Sequence, residues 1–304
     1  MNHTAFDEIW MDRSAVLSAP DSYTLDFIEP PPSLSSYVTT FFKFRSDKEW
    51  IKDVQPANTG HMMVFLSGEG EARFASGRVD VRQPVSMIGP TNAAMQYVVN
   101  GPLIVLGCGF TPIGWRAITG LSAMDSADCF ADSNAIYGGA QNSFFADLMH
   151  IEKSKTGADQ YRAMTDKAEQ FLLSRLQPVQ PRHIEIISVT NAWLDATLTP
   201  DIEDLYAQLP VARRQAQRVI GDYFGCAPKQ LMRKYRAVRA AMLLNDPGCT
   251  DEQAAKVQDL FYDQPHMIRE IRHFAGRTPY RLSGQEGTLL NMWLDKDNIR
   301  ELRQ

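Results

Sequence analysis

Residues 261–281 read FYDQPHMIREIRHFAGRTPYR. His266, Arg269, Arg272, His273, Arg277 and Arg281 crowd into this stretch of a chain whose formal charge is −5. At 100° per residue, Pro265, His266, Arg269, Arg272 and His273 share one face of a helix, and Met267, Ile271 and Phe274 take the other. Asp263 suits the N-cap, which puts Pro265 in the first turn, where no intrahelical amide bond is lost. The pattern predicts a helix over 263–275 with one basic and one apolar side.

The same design occurs earlier, in DIEDLYAQLPVARRQAQRVIGDYFG, residues 201–225. Here Arg214, Gln217, Arg218 and Gly221 fall on one side, with Ala216, Val219, Ile220 and Tyr223 opposite. Arg and Gln carry forked donors and acceptors that match guanine and adenine edges in the major groove, each good pair contributing about 1–3 kcal/mol of discrimination. Each basic helix follows a short helix and a tight turn, at 201–209 and 251–259. Between the units, PKQLMRKYRAVRAAMLL (228–244) predicts a long helix carrying Lys229, Arg233, Lys234, Arg236 and Arg239.

Further out, 182–197 also reads as helix, and a terminal helix is expected from about Leu289. Pro178 and Pro181 stop a preceding helix over 159–176 and mark the expected boundary. Residues 1–177 are expected to form one domain and 178–304 the other, the latter with its core at about 200–283, and helix 159–176 is the expected lever between them. From about Pro30 to Phe110 short apolar runs alternate with turn signals, predicting strands with hairpin turns at Gly68-Glu69-Gly70, Ser76-Gly77 and Asn100-Gly101. The fold class is α+β multidomain: an amino-terminal β-sandwich or barrel with flanking helices, then an all-α domain.

Charge follows the same division. Residues 205–281 carry 13 Lys or Arg against 7 Asp or Glu, a net +6, and the rest nets −11, the asymmetry of a nucleic-acid-binding module joined to a different domain. Cys108, Cys129, Cys226 and Cys249 lack disulfide or zinc spacing and are read as reduced packing residues. With no basic-then-apolar start and no apolar run of about 18 residues, the expected location is cytoplasmic, with no membrane partner.

The stretch from about Ile202 to Arg281 resembles the DNA-binding domain of AraC/XylS-type transcriptional regulators. RRQAQRVIGDYFGCAPKQLMRKYRAVRAAMLL matches the first recognition helix, the Gly-x-x-Pro link and the connecting helix. FYDQPHMIREIRHFAGRTPYR matches the second signature. The resemblance implies two helix-turn-helix units that read successive faces of the major groove. It places base contacts at Arg214, Gln217, Arg218, Gln264, His266 and Arg269, with Pro265 and Ile268 on the same surface. Phosphate contacts are expected from Arg213, Lys229, Arg233, Lys234, Arg236, Arg272 and His273, and core positions at Leu205, Val219, Ile220, Leu243, Phe261, Met267 and Ile271. The chain departs from the pattern at Ala212, Pro210 and Leu260, the last standing where a turn glycine is usual.

The amino-terminal half more loosely resembles the cupin-like sensing domains of such regulators, through PPPSLSSYVTTFF, the strand run and GFTPIGWRAITG. His61, Tyr97 and Trp115 are the candidate lining of an effector pocket. No His-x-His pair accompanies His61, so no metal or other cofactor is expected, and the chain is read as a non-enzyme. The expected partners are double-stranded DNA, an unidentified small-molecule effector, a second copy of the chain in a homodimer, and RNA polymerase. The alternative is a degenerate regulator that acts through protein–protein contact.

Overall fold

The computed structural model describes residues 6, 10, 23–282 and 289–294, without the side chain of residue 289. Eight strands form one antiparallel sheet: β1 (Tyr23–Ile28), β2 (Val38–Ser46), β3 (Trp50–Gln55), β4 (His61–Arg73), β5 (Val79–Val81), β6 (Val85–Ile88), β7 (Met95–Phe110) and β8 (Phe130–Ala131). The order is β1-β2-β7-β4-β6-β8, with β3 on β7 and β5 on β4. Side chains alternate across the central strands, as period-2 geometry requires. Phe41, Val64, Leu106 and Cys108 face one core, whereas Phe42, Phe65, Val99 and Val105 face a second.

The first core is closed by α1 (Pro112–Thr119), α2 (Ser133–Tyr137), α3 (Ala140–Ser154) and α4 (Gly157–Leu173). Met164, Ala168, Phe171 and Leu172 of α4 all pack into it. Instead of forming a free lever, α4 is an integral wall of the sheet half.

Two expected hairpin turns are interior to long strands. β4 runs through Gly68-Glu69-Gly70, and β7 through Asn100-Gly101, pairing Glu69 with Asn100. The register shifts between Phe65 and Glu69, and Gly68 has φ +91°. A Cβ at Gly68 would meet the Asn100 carbonyl oxygen at 2.8 Å, so glycine serves a bulge there. Ser76-Gly77 is a turn, closed by Gly77 N–H to the Phe74 carbonyl at 2.9 Å.

The helical half comprises α5 (Pro181–Ala196), α6 (Ile202–Gln208), α7 (Arg213–Phe224), α8 (Pro228–Asn245), α9 (Asp251–Asp259), α10 (Gln264–Ala275), α11 (Pro279–Leu282) and α12 (Leu289–Trp293). Leu205, Val219, Ile220, Phe261, Met267 and Ile271 are buried as expected, but Leu243 is 38% exposed. Leu260 has φ −73°, so it bears none of the strain that the missing glycine suggests. The rest of the expected terminal helix lies outside the described residues.

Candidate nucleic-acid interface and sheet cavity

α6–α7 and α9–α10 are helix-turn-helix units joined by α8. In α7, Ala216, Val219, Ile220 and Tyr223 are buried, and Arg214, Gln217 and Arg218 are exposed. Arg218 lies 3.8 Å from Asp222, an exposed i,i+4 pair, and Gln217 donates to the Tyr206 hydroxyl at 3.0 Å. Arg213, exposed, is held by Glu203 at 3.0 Å and lies over the Tyr206 ring at 4.2 Å. Such surface pairs are weak and exchange readily for a phosphate.

Helix α10 begins as the sequence predicts: Asp263 accepts the His266 amide at 2.7 Å, and Pro265 lies in the first turn. Gln264, Pro265, Ile268, Arg269, Arg272 and His273 are exposed; His266 is half-buried with its ring edge-on to Phe261. Glu270, on the opposite side and buried, accepts two bonds from Arg233 at 2.6 and 3.1 Å and one from Arg236 at 3.4 Å. Burial alone would raise the Glu270 carboxyl, but Arg233 and Arg236 together hold it below its ordinary value.

This clamp corrects the expected phosphate set. Arg236 is mostly buried, lying 4.7 Å over the Phe261 ring, and Arg233 is tied to Glu270, so both join α8 to α10. Lys234 is 4% exposed and donates to the Thr91 carbonyl at 3.3 Å; it faces the sheet half and reaches no phosphate in this conformation. Arg239 is likewise buried, on Asp195 at 2.6 Å. Helix periodicity gives the angle of a side chain but not what covers it. Lys229, Arg213, Arg272 and His273 remain exposed.

The sheet half packs directly on the ends of both α7 and α10. Asn92 donates to the Gly225 carbonyl at 3.0 Å beyond the end of α7. The Ala94 and Ala57 amides donate to His273 and Phe274 carbonyls at 2.8 and 2.7 Å at the end of α10. Arg277, just past α10, pairs with Asp53 of β3 at 3.1 Å, both buried. Gly221, on the same side of α7 as Arg214 and Arg218, is buried, and a Cβ there would meet Met124. The sheet half therefore covers the last turn of α7 on the side that carries Arg214 and Arg218.

The three candidate pocket residues are not together. Tyr97 lines a cavity of about 80 Å³ within the second core, among Phe42, Phe65, Val99, Leu103 and Trp293. Trp115 is fully buried against Phe110 in the first core. His61 Nε2 faces the Gln55 and Asn58 side-chain amides at 3.0 and 3.3 Å, and burial lowers its pKa to about 4. His61 is thus a neutral hydrogen-bonding residue at the start of β4. Of the cavity residues, the sequence reading missed Phe42, Phe65 and Trp293; the alternation of Phe41 and Phe42 was the available signal. Among the described residues, no group of three or more His, Cys, Asp or Glu is placed to hold a metal ion, and no helix is long and apolar enough to cross a membrane.

These features define a chain with an antiparallel sheet half and an all-α half bearing two helix-turn-helix units, and it resembles AraC/XylS-type regulators. Over 100 residues it is 30% identical to the HTH-type transcriptional regulator GbdR of Pseudomonas aeruginosa (strain UCBPP-PA14), a match spanning 33% of this chain and 26% of that relative. No family model matches. Among solved structures, ToxT from Vibrio cholerae O395 aligns over 86% of this chain and 97% of its own at 7% identity and TM-score 0.43. The AraC-like transcriptional activator CuxR aligns over 71% and 86%, at 12% identity and TM-score 0.28.

Proposed function

We propose that this chain is a sequence-specific DNA-binding transcriptional regulator, divided at residues 177 and 178, whose sheet half governs the helical half through an effector, through homodimerisation, or both. The observation that carries the reading is the repeated design of α7 and α10. Each exposes Arg and Gln side chains and buries an apolar side, with Arg218 and Arg269 at the same position of their helices, in two units joined by one helix. Arg214, Gln217 and Arg218 read bases from α7; Gln264, His266 and Arg269 do so from α10. Arg213, Lys229, Arg272 and His273 hold phosphates. RNA polymerase is the natural further partner, and the cytoplasm the place of action.

Electrophoretic shifts on the DNA upstream of the chain's own gene and its neighbours test this. The expected result is saturable binding at a discrete site, lost in Arg214→Ala/Arg218→Ala. The slope of log affinity against log salt should fall by about 1 in Lys229→Ala and stay unchanged in Lys234→Met. Equal binding of every fragment by parent and double variant would overturn the reading. A second reading, a protein-partner surface, is favoured by Tyr262, 93% exposed, and Ile268, 36% exposed, beside the start of α10. It predicts no discrete DNA site and loss of partner capture in Tyr262→Ala.

A further inference from the structure

An α-helix leaves its last four carbonyls without an amide partner of its own. At the ends of α7 and α10, donors from the sheet half meet several of these. The Asp222 carbonyl accepts from the Ala123 amide at 2.8 Å, and the Gly225 carbonyl, just past α7, from the Asn92 side chain at 3.0 Å. In α10 the His273 and Phe274 carbonyls accept from the Ala94 and Ala57 amides at 2.8 and 2.7 Å. Lys234 of α8 donates to the Thr91 carbonyl at 3.3 Å. Two short loops of the sheet half, 56–60 and 89–94, thus bond to the ends of both helices and to the helix that joins them.

These loops are braced as one body. The Thr91 amide donates to the Asn58 carbonyl at 3.0 Å, and the Asn58 amide to the Thr91 hydroxyl at 2.9 Å. Asp128 accepts the Asn92 amide at 2.8 Å and donates its own amide to the Pro90 carbonyl at 3.0 Å. It does so at φ +54°, an uncommon left-handed value for a residue with a side chain. Close approach leaves little play between the halves: a Cβ on Gly225 would lie 3.1 Å from Pro90, and one on Gly276 1.9 Å from Val54.

The grip falls at the carboxy-terminal ends of α7 and α10, whereas a helix-turn-helix reader meets base edges with its amino-terminal residues. Arg214, Gln217, Gln264 and Arg269 stay exposed. Apolar packing within the helical half is non-directional; the bonds from the loops fix direction as well as distance. We infer that loops 56–60 and 89–94 form a bracket that sets the spacing and mutual angle of α7 and α10, with Asn92 and Lys234 as positioning residues. The chain then recognises a composite site whose two parts stand at one separation, and the bracket defines that separation without touching a base. The bracket itself stands on the hydrogen bonds; only its consequence for site spacing rests on the DNA-binding reading.

Two measurements on the full chain test this, with Asn92→Ala/Lys234→Met as the loosened form. Circular dichroism verifies folding, and Asn92→Ala alone keeps the test decisive if the double variant is not folded. Without DNA, the electron–electron distance between nitroxides at Gln217→Cys and Ile268→Cys, in a Cys129→Ser/Cys249→Ser background, should be narrowly distributed. In the loosened form it should broaden or move, and an unchanged distribution overturns the bracket. With DNA, one base pair inserted between the two parts of the site displaces them by about 3.4 Å and turns them by roughly 35°. The insertion should weaken binding about tenfold in the parent and less than about threefold in the loosened form, at unchanged preference for individual bases. An equal penalty in both overturns the role in spacing, as does a loss that follows base identity instead of separation. A broadened distance with no discrete DNA site sinks the regulator, and the spacing role with it, and leaves the bracket; a discrete site with an unmoved distance does the reverse.

Discussion

Helices α7 and α10 are each 12 residues long and end in a left-handed glycine, Gly225 and Gly276, yet they are built and held differently. α7 starts at Ala212 with no side-chain cap, whereas α10 starts at Asp263 with one. α7 offers Arg214, Gln217 and Arg218 on one exposed face; α10 offers Gln264 and Arg269 interrupted by Pro265 and Ile268, which carry no side-chain hydrogen-bonding group. Beneath α10, Glu270 binds Arg233 and Arg236 of α8; no such ion pair is recorded beneath α7 among the described residues. The contrast is one of surface chemistry and support: α7 exposes the denser set of Arg and Gln side chains, whereas α10 is held from beneath by an ion pair.

Removing the clamp breaks the comparison most severely. Glu270→Ala leaves Arg236 largely buried without its partner, a loss of about 3 kcal/mol. Urea unfolding monitored by circular dichroism should show the midpoint falling accordingly. An unchanged midpoint would mean that the clamp adds nothing to the positioning of α10.

The exposed arginines of the two helices come next. Arg218→Ala should weaken binding to the cognate site by about 2 kcal/mol, with relaxed preference at its base pair. Arg269→Ala should cost less and act more evenly across DNA sequences. Affinities measured over a panel of single-base operator variants check this; a larger and more sequence-selective loss in Arg269→Ala would reverse the assignment.

The end of α10 adds a pH effect. Burial raises the Asp53 carboxyl to about 6 from 3.8, against the pull of Arg277. The folded chain then holds this proton more tightly than the unfolded chain, so this group's contribution to stability grows as pH falls from about 6 toward 4 and is lost as pH rises through 6. Asp53→Asn should remove that slope, worth roughly 1–2 kcal/mol, from the difference between urea midpoints at the two ends of the window. An identical slope in parent and variant would show that Asp53 titrates as an ordinary carboxylate.

Much of this was open to reading in one dimension. The helices of the carboxy-terminal half announce themselves through apolar residues at three-to-four spacing and through Pro181, Pro228 and Gly225 at their ends. α3 gives a weak signal: it follows Gly138-Gly139 and buries only Gln141, Phe144 and Leu148, too sparse a stripe to stand out. Turn chemistry misled at Gly68 and Asn100-Gly101, because the residues that make a hairpin also serve a bend inside a long strand. What stayed closed were relations between distant residues. Asp53 meets Arg277 across 224 positions, Lys234 is covered by a loop from the other half, and Trp293 completes a cavity begun by Phe42. Local periodicity carries no information on such pairs.

The smallest difference between the two helices is also the one most easily exchanged. The Asp263 carboxylate occupies an amide that no helical carbonyl can reach, and Asp263→Ala should cost about 1 kcal/mol. Ala212 already has the extended backbone of an N-cap, at φ −59° and ψ 143°, and it is exposed. Ala212→Ser therefore places an acceptor in position for the Gln215 amide without disturbing packing, a gain of up to about 1 kcal/mol. The double variant moves the cap from one helix to the other. If capping is what separates the two starts, hydrogen exchange in the first turn should slow in α7 and quicken in α10, with overall stability nearly restored. Unchanged exchange in α7 would mean that the turn at 209–212, rather than the missing hydroxyl, governs how its first turn is held.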